Sequence, residues 1–187
     1  MIARFWRLVR APSAELARIG GETPTARALL LHVAAPLALI AAFAPALGQL
    51  IFGARALGIV YRPDILPTLG GALVAAGLIV LALYLIALAI DRVAPLLQGR
   101  ADATRALQTS VYAASPALIA TGALIVPALW PLTLVGLASL VVLHRALPIL
   151  MGAPPNRATA FAVVVVVVAL ILVLLLAALS ACVAGFV

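Results

Sequence analysis

The sequence contains no lysine and a single cysteine, and only 9% of its 187 residues are charged. Without lysine there is neither the phosphate-gripping lysine of a P-loop nor a Schiff-base nucleophile. With Cys182 alone there is no internal disulfide. Acids are scarce as well: there are five, and both glutamates, Glu15 and Glu22, precede the first long apolar run. No His-Glu-x-x-His zinc signature occurs, and an intramembrane aspartyl protease needs two facing aspartates where only Asp91 lies near an apolar run. Ser139 and His144 share a segment, yet no Gly-x-Ser-x-Gly elbow surrounds the serine. His32, His144 and Cys182 are too few and too scattered for a metal site. The sequence therefore predicts no enzyme, no cofactor and no metal.

What is present in abundance is apolar: hydrophobic residues make up 67% of the chain, against the roughly half of an ordinary globular domain. A soluble fold of this size could not hide that much apolar surface. The 12 arginines against five acids give a net charge of +7. They sit between apolar runs rather than along a solvated face with aromatics, which argues against nucleic acid as a partner. Five runs reach the roughly 20 residues that cross about 30 Å of hydrocarbon. They extend over 28–52, 68–90, 106–126, 128–151 and 159–187. Continuous runs without period-two alternation favour helices over a barrel. The predicted fold is all-α: a polytopic membrane protein with five transmembrane helices and an N-terminal interfacial amphipathic helix. Pro127 and Pro131 bracket Ala128-Leu129-Trp130 as a tight connection, making spans three and four an antiparallel hairpin.

Arginine placement sets the orientation. With the N-terminus inside, ten arginines (4, 7, 10, 18, 27, 92, 100, 105, 145 and 157) fall on cytoplasmic segments, and only Arg55 and Arg62 fall outside. The C-terminus then lies on the outer side of a cell (inner) membrane. Ala42-Phe43-Ala44 resembles a signal-peptide cleavage site, but the long charged leader before it favours an uncleaved first span. The chain divides into a cytoplasmic leader, 1–27, and a transmembrane domain, 28–187. In the leader, Ile2, Phe5, Trp6 and Val9 share one helical face, and Arg4, Arg7 and Arg10 the other, as in a helix anchored on membrane lipid. Pro12 ends that helix, Ser13 caps a short second one through Ile19, and Thr23 caps the next with Pro24 at its first position.

Polar residues inside the spans concentrate in the cytoplasmic half. His32 opens span one, Asp91 and Arg92 close span two, and Gln108, Ser110, Tyr112 and Ser115 open span three. His144 and Arg145 precede Met151 by roughly 10 Å along the helix. Gln108, Tyr112 and Ser115 share a face, and Tyr84 lies two turns from Asp91. The candidate intramembrane polar cluster is His32, Asp91, Gln108, Tyr112, Ser115, His144 and Arg145. Arg145 either snorkels to the inner surface alone or pairs with Asp91. Pro36, Pro45, Pro116, Pro131 and Pro148 are kink candidates, and Gly71 with Ala75 and Ala113 with Ala117 and Thr121 are small-residue packing stripes. Span five, polar-free from Val163 to Leu179, is expected to face lipid.

Several short elements occur in a telling order. Arg10-Ala11-Pro12 follows Trp6, and Leu57-Gly58-Ile59-Val60-Tyr61-Arg62-Pro63 follows the first span. Then come Ile90-Asp91-Arg92-Val93-Ala94-Pro95 with Gly99, and Val111-Tyr112-Ala113-Ala114-Ser115-Pro116. Last are Leu147-Pro148-Ile149-Leu150-Met151-Gly152-Ala153-Pro154 and Ala160-Phe161 before the valine run. Together they resemble the bacterial branch of the Yip family, the Ypt/Rab-interacting membrane proteins. The resemblance implies five helices, a cytoplasmic N-terminus and a link in eukaryotic relatives to Rab-type GTPases and membrane shaping. The 27-residue leader is shorter than theirs, which argues against GTPase binding here. The expected role is non-enzymatic, in membrane organisation or as a scaffold, with membrane lipids and a homo-oligomer or other membrane proteins as partners. The competing reading is a small transporter or channel using the polar cluster, in which histidine would titrate.

Overall fold

The computed structural model describes residues 12–22, 24–56 and 59–185. The expected anchor helix, with Arg4, Phe5, Trp6, Arg7 and Arg10, lies outside the described residues. The first described helix, α1 (Pro12–Gly20), starts on Pro12, whose missing N–H is no loss in a first turn. Leu16 and Ile19 are fully buried on one face, and α1 packs along the last helix of the fourth apolar run.

Four helical stretches are long and apolar enough to cross a membrane: Ala26–Phe52, Ile65–Leu97, Pro127–Met151 and Pro155–Leu176. The first, α2 (Ala26–Phe52), is capped by Thr25, whose side chain accepts from the Ala28 N–H at 3.2 Å. The cap is therefore two residues later than expected: Pro24 lies before the helix, and Thr23 is outside the described residues. Pro36 cannot donate to the His32 carbonyl, and the turn before it, Leu30–Ala34, widens to π geometry, with the Ala35 N–H reaching back to Leu30. After α2 the chain forms a two-stranded hairpin, β1 (Ala54–Ala56) with β2 (Ile59–Tyr61), pairing Ala54 with Tyr61 and Arg55 with Val60. This small sheet in an otherwise helical chain was not expected, although Ile59-Val60-Tyr61 are strong strand formers.

Next comes α3 (Ile65–Val93), extended by a 3₁₀ turn over Ala94–Leu97. The following helix, α4 (Ala103–Ala120), begins at Asp102, whose Oδ1 accepts from the N–H groups of Thr104 and Arg105, both at 3.0 Å. The last two helices are α5 (Ala138–Met151) and α6 (Pro155–Gly185). Helix α5 ends on Gly152 at φ 65°, where the N–H groups of Gly152 and Ala153 return to the carbonyls of Pro148 and Leu147. That left-handed cap is the geometry glycine adopts without cost.

The third expected span is α4 with its continuation, and it is not among the four most apolar helices because its residues face protein. Helix α4 packs against α2, α3 and α5, and every residue from Ala106 to Ala113 is buried. Beyond Ala120 the chain tightens into 3₁₀ helix, first over Thr121–Ile125 and then, after an extended Val126, over Pro127–Leu137. Two prolines and two hydroxyls account for this. Pro127 and Pro131 cannot continue an α ladder, while Thr121 and Thr133 donate to the carbonyls of Leu118 and Trp130 at 2.6 Å each. The reversal of the hairpin is thus at Val126 rather than at Ala128-Leu129-Trp130, which lies within the second 3₁₀ segment.

Of the small-residue stripes, Ala113–Ala117 is used: a side chain on Gly136 would meet the Ala117 Cα at 3.1 Å. Gly71 is not, since its helix face is open there. The flanks of the bundle carry Leu39, Ile40, Ile51, Leu73, Leu81, Leu132, Val141 and Leu170, all exposed. Apolar surface on this scale is what a bilayer covers, and the chain is a multi-pass helical membrane protein.

Candidate functional site

The polar residues of α4 are there to complete backbone hydrogen bonding. Pro116 has no N–H to offer the Tyr112 carbonyl one turn back, and the Ser115 hydroxyl donates to that carbonyl instead, at 2.8 Å. One residue on, the Ala117 N–H donates to Ser139 Oγ at 3.0 Å, so the hydroxyl of α5's first turn serves the backbone of α4 beside its proline. The Ser110 hydroxyl crosses to α3 and donates to the Leu83 carbonyl at 2.7 Å. Gln108 donates from Nε2 to the Glu22 carbonyl at 3.2 Å, tying the segment after α1 to the bundle. In an apolar medium such groups cannot be left without partners. Ser139 thus has a structural task rather than that of a nucleophile, and the sequence signal for it is the proline at 116.

The seven-residue cluster accordingly separates into three places. Gln108, Tyr112 and Ser115 share the buried face of α4, at 1%, 8% and 5% exposure. His32, His144 and Arg145 are exposed on the outside of α2 and α5. The His32 ring nitrogen Nδ1 lies 3.2 Å from the Ala28 carbonyl of its own helix. Asp91 stands apart from both groups, and no ion pair joins it to Arg145 among the described residues; the carboxylate pair there is Asp102 with Arg105, at 3.4 Å and half exposed.

Asp91 lines a cleft of about 180 Å³ between the start of α2, the end of α3 and the start of α4. Its other walls are Ala26, Tyr84, Ala87, Leu88, Ala103, Thr104 and Leu107. Tyr84 and Asp91, two turns apart on α3, thus do meet on one side as their spacing predicts. The Oδ1 atom of Asp91 is buried and has no hydrogen-bond partner among the described residues. Thr104 is a lining residue that the sequence reading missed, because nothing in its spacing on α4 points toward α3.

No curated protein and no solved structure matches the chain. The family model described as Yip1 domain matches residues 6–178, which takes in the leader tryptophan, Asp91, the Tyr112 to Pro116 turn and most of α6. With so much of the 187 residues matched, the chain belongs to the Yip1 domain family.

Proposed function

We propose that the protein is a non-enzymatic membrane organiser: a five-crossing bundle that acts through lipid and protein contacts at its flanks. The observation that carries this reading is the use of Gln108, Ser110, Ser115 and Ser139 on backbone partners, which commits the buried polar groups to holding the bundle together. Five crossings are supported by length. The 18 residues of α4 and the five 3₁₀ residues after it reach roughly 37 Å at about 1.5 and 2.0 Å per residue, enough for the hydrocarbon core. The arginine distribution then favours a cytoplasmic N-terminus and an outer C-terminus.

Topology is tested by single-cysteine labelling in a Cys182→Ala background. A membrane-impermeant thiol reagent added to intact cells labels Arg62→Cys and leaves Gln98→Cys unlabelled; the reverse pattern would overturn the orientation. The role is tested against transport. Purified protein in vesicles is expected to carry no ion or solute current, and to be recovered from cross-linked membranes with itself or another membrane protein. Flux that disappears in Asp91→Asn would replace the organiser with a transporter.

A further inference from the structure

We propose that the Asp91 cleft holds the primary ammonium group of a membrane lipid headgroup. The inference rests on the bundle lying in a bilayer and not on the organiser role. A buried carboxylate oxygen without a donor is costly and calls for a partner, since burying a polar atom unpaired costs more than a made hydrogen bond returns. The cleft at Asp91 has room for one: about 180 Å³ is six times the ~30 Å³ that a water occupies in the liquid.

The walls select the kind of partner. Ala26, Ala87, Leu88, Ala103 and Leu107 are apolar, and side-chain oxygens come only from Asp91, Thr104 and Tyr84. A hard metal ion wants about six oxygens and is poorly served by that set. An ammonium on a short carbon chain fits it: N–H donors for the carboxylate and Thr104, methylenes for the alanines and leucines, and the Tyr84 ring for the positive charge.

Two further features point to a lipid as the source. Tyr84 and Leu88 are exposed at 50% and 41%, so the cleft opens on the flank of α3. It also lies at the arginine-rich end of the bundle. There Arg27 and Arg92, both exposed, follow the lining residues Ala26 and Asp91 in the chain and offer guanidinium groups to a headgroup phosphate.

The test is native mass spectrometry of the protein in detergent micelles. Phosphatidylethanolamine, phosphatidylcholine and phosphatidylglycerol with identical acyl chains are supplied in equal amounts. Ethanolamine lipid is expected to be retained over the other two, and the preference to fall about tenfold in Asp91→Asn, the loss of one charge-assisted hydrogen bond. Tyr84→Leu, on the exposed rim, is expected to weaken the preference with the carboxylate intact, and it reports on the site if Asp91→Asn does not fold. Equal retention of the choline lipid would overturn the proposal, because a trimethylated ammonium has no N–H to donate. Equal retention of the glycerol lipid would also overturn it, leaving selection to the arginines. Displacement by free ethanolamine would overturn the lipid assignment. Loss of ethanolamine lipid preference with unchanged self-association would separate this site from the organiser role.

Discussion

Gly48→Val is expected to be among the most damaging single changes in the protein, lowering stability in detergent by about 3 kcal/mol, the upper part of the range for forcing atoms into a packed interior. Gly48 is buried in the C-terminal half of α2, where the chain after α4 crosses it. A side chain there would run into the carbonyl oxygen of Leu124 and come within 2.9 Å of that of Ile125. Both obstacles are backbone, so no rotamer change relieves them. The residues they belong to sit in the 3₁₀ segment Thr121–Ile125, which is followed by Pro127 with no N–H to return to it, and glycine lets two backbones meet directly. Gly71→Ala provides the contrast. Nothing lies within 4 Å of a side chain placed there, and alanine in mid-helix is expected to be neutral or to stabilise by up to about 1 kcal/mol. Thermal denaturation of the two variants side by side is the measurement; equal midpoints would mean that α2 and the 121–125 segment are not in contact.

The same pair of glycines shows where reading the sequence alone reached its limit. Spacing marks Gly71 with Ala75 as a packing stripe and gives no sign of Gly48, because a four-residue interval says that two small residues share a face but not what the face meets. Helix existence was legible along the apolar runs, since runs of about 20 residues or more have few other solutions in lipid. The weakest of the five runs was weak for a structural reason. Helix α4 is enclosed by α2, α3 and α5, so it can carry Gln108, Ser110 and Ser115, and those buried polar residues lower its average hydropathy.

The 3₁₀ stretch from Thr121 to Leu137 was half legible. The prolines were recognised as breaks, yet the competition of threonine hydroxyls for carbonyls depends on rotamers that a sequence does not state. The polar cluster fared similarly. Periodicity correctly united Gln108, Tyr112 and Ser115 and joined Tyr84 to Asp91, both being relations within one helix. Relations between helices, such as Thr104 beside Asp91 or His144 facing outward, need the packing itself.

Packing also decides how the last helix is held, and Phe161→Ala is expected to show it. Among the described residues Phe161 is the largest fully buried side chain, and it sits near the start of α6 with the buried Ala158, Ala162 and Val165. From Leu170 to Leu175 the large side chains of α6 are exposed by half or more, apart from Leu172, which is partly buried. The helix is therefore fastened to α3 and α5 near its start and bare from Leu170 to Leu175, which refines the expectation that span five simply faces lipid. Deleting the ring leaves a cavity worth about 3 kcal/mol, the low end for phenylalanine, because lipid rather than water is the alternative surrounding. Amide hydrogen exchange is expected to rise over 155–165 while α4 stays protected. Leu174→Ala, on the bare half, is expected to change neither quantity. Were it to destabilise the protein as much as Phe161→Ala, this stretch of α6 would be packed against another protein surface, and the partner sought for this family member would be found along Val167, Leu170, Ile171 and Leu174.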